Sequence, residues 1–261
     1  MTLLKKAFTE IYYSAHMGSD LSVVNAARQS FAHQKDVLDQ SDVGLINFLA
    51  TGKRSKEWDA FLEEVMGITD KKVLKQRLIE YKREAQHWAP FGHAHLTLRL
   101  RMPIFLARQF VKHTVGGTWS EESRRYISGE CEYYFEPVLE SRPEDIKQGA
   151  GATLRIEDQQ SCMGIMDDAT LVADVSYKQL LKHGLAPEQA REILPLNMMT
   201  GVTWTGSLLF WARVCNQRLD PHAQRAARLL AEKISSVCNE LFPISWAALV
   251  KVPFERLPEK N

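Results

Sequence analysis

Residues His93–Gln109 read HAHLTLRLRMPIFLARQ, and this stretch decides the fold class. Ala94, Leu96, Leu98 and Leu100 alternate with His95, Thr97, Arg99 and Arg101, the period of two that marks a strand with one buried and one polar face. Pro103 ends the alternation and suits the first turn of a helix. From Ile104 the spacing changes: Ile104, Ala107, Phe110 and Val111 share one side, and Arg108, Gln109, Lys112 and His113 share the other. Gly116 and Gly117 break that helix, and a dense polar cluster follows from Ser120 to Arg125. A stripe of donors, a glycine pair and a second donor cluster can wrap a phosphorylated ligand. They equally describe a solvated helix face followed by a charged surface loop.

Upstream, residues 6–13 (KAFTEIYY) mix β-formers with polar residues and suggest a first strand, closed at Gly18-Ser19-Asp20. Asp20 then caps a helix in which Leu21, Val24, Ala27 and Phe31 lie on one side. Ser30, at its end, can meet a bound phosphate or cap a backbone group. Residues 33–70 carry two short apolar pieces split by a polar run and read as a peripheral insertion. Asp70 opens a helix, DKKVLKQRLIEYKREAQHW, with Val73, Leu74, Leu78 and Tyr81 as its face. Ala89-Pro90-Phe91-Gly92 ends it.

Downstream of Tyr126, CEYYFEPVLESRPEDI reads as a short aromatic strand or extended arm and then a loop. The remainder reads as helical: Arg155 to His183, Pro187 to Gln217 with a break near Pro195, Pro221 to Leu241, and a short piece near Trp246. The expected fold is α+β, a single compact domain over 1–261 with a mixed or antiparallel sheet flanked by helices and a long helical C-terminal half. Within that half, Arg191, Arg213, Arg218, His222 and Gln224 stand among apolar neighbours. Arg218 lies where a helix ends, and can reach an oxygen-rich planar ligand or complement the helix dipole.

The totals narrow the function classes. With 33 Lys and Arg against 32 Asp and Glu, no global field exists to hold nucleic acid or an anionic membrane. Small phosphorylated ligands need only local cations. The four cysteines, Cys131, Cys162, Cys215 and Cys238, show no zinc spacing and read as reduced thiols. His93 and His95 share a strand face but lack a third ligand, so no metal is expected. A cytoplasmic protein without membrane spans is the expectation.

Several separated segments resemble one family in its own order. They are SDLSVVNAARQSF, HWAPFGHAHLTLRLRMPIFLARQ, ILPLNMMT and RLDPHAQ, together with Glu121-Glu122-Ser123-Arg124-Arg125-Tyr126, which matches a Glu-x-Ser-x-Arg-Tyr signature. The chain resembles a flavin-dependent thymidylate synthase, and the match covers most of it outside 33–70. Ahead of the signature the family has Arg-His-Arg. This chain has Lys112-His113-Thr114 and a spacer one residue longer, so the bidentate forks of both arginines are absent.

The resemblance implies that Gln109, Glu121, Glu122, Ser123, Arg125 and Arg191 bind dUMP, and that Arg218 touches the uracil ring and promotes its ionisation. It implies FAD contacts at Ser30, Lys112, His113, Thr114, Glu121, Ser207, Arg213 and His222. Ser207, Leu209 and Arg213 replace the family's usual Asn, Arg and Asn. His87 and Tyr126 match positions that stack near the folate or flavin ring. The implied reaction is reductive methylation of dUMP to dTMP with FAD, NADPH and 5,10-methylenetetrahydrofolate, without an enzyme cysteine nucleophile, in a homotetramer. Methylation or hydroxymethylation at C5 of another pyrimidine nucleotide, and nucleotide binding without flavin chemistry, are the alternatives.

Overall fold

The computed structural model describes residues 4–82, 87–127, 129–143 and 150–250. In chain order the elements begin with strands β1 Lys5–Lys6 and β2 Glu10–Met17, followed by helices α1 Asp20–Arg28, α2 Gln40–Thr51, α3 Ser55–Met66 and α4 Lys71–Lys82. Next come β3 His95–Pro103, α5 Ile104–Phe110, β4 Gly117–Glu121 and β5 Glu132–Tyr133. The chain continues with α6 Ile156–Lys182, α7 Pro187–Ala190, β6 Met199–Ser207, α8 Leu208–Arg218, α9 Arg225–Leu241 and α10 Pro243–Leu249. The α+β class holds: an antiparallel sheet ordered β2-β3-β6-β4 accompanies a parallel pair in which Lys5 faces Glu132 and Lys6 faces Tyr133.

The chain forms two compact units. The first contains residues up to Ala15, Thr97–Thr205 and Gln217–Ile234; the second contains His16–Leu96, Gly206–Asn216 and residues from Ser235 onward. In the first unit, the alternation of β3 buries Leu98, Leu100 and Met102 and leaves Arg99 exposed. β6 adds Val202 and Trp204 to the same core, and the Trp204 ring meets Phe110 edge-on at 6.1 Å and Trp119 at 5.0 Å. One indole thus fixes both α5 and β4.

β6 corrects the helical reading of Pro187 to Gln217. Thr200, Val202, Thr203, Trp204 and Thr205 favour a pleated, half-buried surface, while Gly201 and Gly206 blur the period of two. β4 likewise stands where the glycine pair and polar cluster suggest a loop. α5 is shorter than expected and ends at Phe110, so Lys112 and His113 lie in the turn beyond it rather than on one stripe with Arg108 and Gln109. Gly116 completes that turn at φ 88°, a left-handed conformation that glycine adopts without steric cost. The strand expected over 6–13 is divided between β1 at Lys5–Lys6 and β2 at Glu10–Met17, which runs four residues further.

In the second unit the cap of α1 is Ser19, whose backbone N–H donates to Ser22 Oγ at 3.0 Å, not Asp20. The buried Asp20 carboxylate instead accepts the N–H groups of Ile244 and Ser245, both at 2.9 Å, and so caps the distant α10. Of the expected α1 face, Val24 is buried but Phe31 is 81% exposed. Residues 33–70 hold α2 and α3; Ile46, Leu49 and Ala50 are buried, and α2 packs on α1 and α10. Asp42 of α2 is fully buried between Arg28 and Lys35, each at 2.8 Å. Asp70 does cap α4, accepting from Lys72 N at 2.7 Å and Val73 N at 3.0 Å. Val73 and Leu78 of the expected α4 face are exposed, and α4 is joined to α3 by Arg77, which pairs with Glu64 at 2.6 Å. Residues 83–86 of that predicted helix, and the Tyr81 side chain, lie outside what the structure describes.

Candidate active site

At the end of α8, the Arg218 guanidinium is tied down in the first unit. Its Nη2 donates to the Gln109 carbonyl at 2.7 Å, its Nε donates to His113 Nε2 at 3.1 Å, and it lies 5.5 Å over the Phe110 ring. No carboxylate pairs with it among the described residues. Burial lowers its pKa, although a guanidinium stays charged at any ordinary pH. Burial, and then the Arg218 cation, hold the His113 pKa at about 4. The ring is therefore neutral at pH 7, with Nε2 accepting from Arg218 and the proton on Nδ1. The result is a fixed, half-buried positive charge without a counter-charge among the described residues.

The structure thus brings Gln109, His113 and Arg218 together. The Gln109 side chain points onward, donating to Gln224 Oε1 at 2.5 Å. Lys112 and Thr114 are exposed and make no side-chain hydrogen bond among the described residues, and exposed His222 engages only through its backbone N–H, which donates to Asp220 Oδ1 at 2.8 Å.

Opposite β6, the two glutamates divide. Glu121 is held at both oxygens: Thr200 Oγ1 donates to Oε1 at 3.0 Å and Trp119 Nε1 to Oε2 at 3.1 Å. Glu122 exchanges hydrogen bonds with Gly201, its N–H donating to the Gly201 carbonyl at 2.9 Å and its Oε2 accepting from Gly201 N at 3.0 Å. Both carboxylates line a cleft of 270 Å³ with Tyr12, Arg99, Arg101 and Ser120. Arg101 is neutralised there by Glu132 and by Glu10 at 3.7 Å, and Tyr12 donates to Glu10 at 2.8 Å. Arg99 has no ion pair among the described residues.

Past Glu122, Ser123 Oγ accepts from Arg125 Nε at 3.3 Å, and the Arg125 guanidinium lies 5.0 Å over the 79% exposed Tyr126 ring. Arg124 clamps the loop by donating to the carbonyls of Gly129 at 2.6 Å and Glu130 at 3.2 Å. Exposed Arg191 donates to the Glu188 carbonyl at 3.3 Å, and no described hydrogen bond joins it to Ser123 or Arg218.

In the second unit, Ser30 is exposed in the turn after α1. His87 stacks on Phe48 at 5.2 Å, Ser207 Oγ accepts from Phe210 N at 3.2 Å, and the Arg213 guanidinium lies 4.7 Å over Trp88. His95 is engaged with the Gly92 carbonyl at 2.8 Å. Among the described residues no cluster of His, Cys, Asp or Glu could hold a metal, and no helix is long and apolar enough to cross a membrane.

Sequence reasoning missed Tyr12, Arg99, Arg101, Thr200 and Gly201. The alternation of β3 had already placed both arginines on its open face. Their proximity to the glutamates follows only from β6, whose strand character was misread.

A family model described as thymidylate synthase complementing protein matches residues 14–244. The chain is similar to the flavin-dependent thymidylate synthase of Thermosipho africanus, 30% identical over 183 residues that cover 69% of this chain and 78% of that protein. Its counterpart from Thermotoga neapolitana is 28% identical over 256 residues, covering 97% and 95%. Among solved structures, the UMP/dUMP methylase PolB from Streptomyces cacaoi bound with 5-Br dUMP superposes with a TM-score of 0.71 at 24% identity, covering 95% of this chain and 96% of that one. At that identity the likeness is one of fold.

Proposed function

Because the chain belongs to the family of flavin-dependent thymidylate synthases, we propose that it methylates dUMP to dTMP, with residues 1–261 serving this one activity. The observation that carries the proposal is the fixed Arg218 guanidinium, which has no carboxylate partner among the described residues. A pyrimidine ring seated against it can lose its N3 proton cheaply, because the cation stabilises charge spread over N3 and the flanking carbonyl oxygens. That charge raises electron density at C5, the carbon to be methylated. His113, neutral and used as an acceptor, orients Arg218 and holds its own proton at Nδ1. Ser123 and Arg125 offer a hydroxyl and a cation for the nucleotide phosphate, with Gln109 and Arg191 as further donors.

No cysteine is needed as nucleophile. Cys131, Cys215 and Cys238 are buried and burial pushes their thiols up, away from the reactive thiolate. When bound, FAD reduced by NADPH would supply the electron pair, and 5,10-methylenetetrahydrofolate would supply the one-carbon unit, with tetrahydrofolate and NADP as by-products. The donor set of the first unit fits such a group: Lys112, Thr114 and His222 are exposed and their side chains make no hydrogen bond among the described residues, which leaves them able to meet a diphosphate. A homotetramer in the cytoplasm completes the proposal.

The test is incubation of purified protein with FAD, NADPH, 5,10-methylenetetrahydrofolate and dUMP, with UMP and dCMP in parallel, followed by nucleotide chromatography. The expected product is dTMP. Product from another nucleotide but not from dUMP would move the assignment to that substrate, and nucleotide binding without any product would remove the methylation chemistry.

A further inference from the structure

Gly201 carries no side chain, and the reason is visible in its neighbour. A Cβ built at Gly201 would lie 2.4 Å from Glu122 Oε1 and 2.5 Å from Cδ. The Glu122 carboxylate therefore occupies the space that any other residue would fill. It is held there by the Gly201 N–H on Oε2 at 3.0 Å, while the Glu122 N–H donates to the Gly201 carbonyl at 2.9 Å. Oε1 accepts no hydrogen bond among the described residues, and Glu122 lines the 270 Å³ cleft. Glu121 differs, since both its oxygens are engaged by Thr200 and Trp119.

We propose that Gly201 is a positioning residue that seats Glu122 as the acceptor for the 3′-hydroxyl of the nucleotide sugar. This rests on the reading of dUMP as substrate. A carboxylate only accepts hydrogen bonds and repels phosphate, so it must meet a hydroxyl or an N–H of the ligand. In dUMP the donors are the N3–H and the 3′-hydroxyl. The N3–H and its flanking carbonyl oxygens form the edge of the ring that this reading seats against Arg218, so that donor is not left for Glu122. The 3′-hydroxyl remains. Arg99, the cation of the cleft without an ion pair among the described residues, offsets the local negative charge of Glu121 and Glu122 and lets a nucleotide approach them.

The neighbour that a new Cβ would strike is the end of a flexible side chain, and Gly201 has no positive φ, so Gly201→Ala is compatible with the strand and displaces the carboxylate alone. Binding of dUMP and of 2′,3′-dideoxyuridine monophosphate is measured by calorimetry on the purified chain. The wild type is expected to prefer dUMP by roughly ten- to a hundred-fold, the worth of one hydrogen bond to a charged group. Gly201→Ala and Glu122→Ala each erase that preference, and the double variant is no worse than Glu122→Ala alone. Equal preference in Gly201→Ala and wild type, or additive losses in the double variant, would overturn the seating role. If Gly201→Ala does not fold, Glu122→Ala decides the matter, and retention of the 3′-hydroxyl preference there defeats the proposal. A wild-type chain that binds no dUMP overturns the substrate reading itself, a separate result.

Discussion

Removing the Arg218 guanidinium tests both the chemistry and the electrostatics of the site. In Arg218→Ala the Gln109 carbonyl and His113 Nε2 lose donors at 2.7 and 3.1 Å, and the Phe110 ring loses its cation. Unsatisfied acceptors cost about 1–3 kcal/mol each, but the native guanidinium is itself partly desolvated, so the net loss of stability is about 1–3 kcal/mol. The catalytic loss is larger. Deleting a preorganised stabiliser of developing charge costs roughly 10²–10³ in kcat, about 3–4 kcal/mol, and falls on kcat because the charge exists only along the reaction path. Arg218→Lys keeps a cation but loses the planar fork that donates from two separate nitrogens, and is expected to lie between.

The same variant moves His113. Its pKa of about 4 lies below the ordinary 6.5, so between those values the unfolded chain binds a proton that the folded chain refuses. The contribution is full above pH 6.5 and is lost as pH falls toward 4. Burial is the larger cause and the Arg218 charge the second, so Arg218→Ala raises the pKa part of the way and narrows this window from its acid end. The assays are dTMP formation, urea midpoints at pH 7.5 and 5, and NMR titration of His113. A kcat within about threefold of wild type, or an unmoved His113 titration, refutes the reasoning.

Asp20→Ala leaves the buried Ser245 N–H and the partly buried Ile244 N–H of α10 without acceptors and removes a carboxylate from its N-terminus; the expected destabilisation is about 2–4 kcal/mol by urea denaturation, whereas Asp20→Asn recovers part of it. Gly206→Ala places a methyl 2.0 Å from Cδ1 of the buried Phe210 ring, and overpacking of this kind costs about 1–3 kcal/mol, read as a fall in Tm. Alkylation of the native chain at pH 8 is expected to label Cys162 first, since the other three thiols are buried; rapid labelling of Cys215 would contradict the packing of α8.

What the sequence made legible follows from pattern length. β3 and α6 were placed nearly to the residue because nine residues of alternation and twenty-seven of helical pattern leave little choice. β6 was not, because its two glycines interrupt the period and its flanks carry helical residues. Yet those glycines are there for side-chain contacts, Gly201 for Glu122 and Gly206 for Phe210, so the features that hid the strand also shape its surroundings. Asp20 was legible as a cap but not as the cap of α10, more than two hundred residues away. Of the site, the local cluster Glu121 to Tyr126 could be read directly, while Arg99 and Arg101 needed the pairing of strands that sequence alone did not provide.

The altered half of the signature has a physical explanation in the same terms. Glu121 and Glu122 are bound into β4 and β6 through Thr200, Trp119 and Gly201, so a change there costs the fold as well as the ligand. Lys112 and Thr114 lie beyond the end of α5, exposed and without side-chain hydrogen bonds among the described residues. Substitutions in such a turn are nearly free of folding cost. Their consequences therefore fall on whatever the turn binds. His113, between them, is held because Arg218 needs its acceptor, and it is the one residue of that tripeptide that this chain shares with the family pattern.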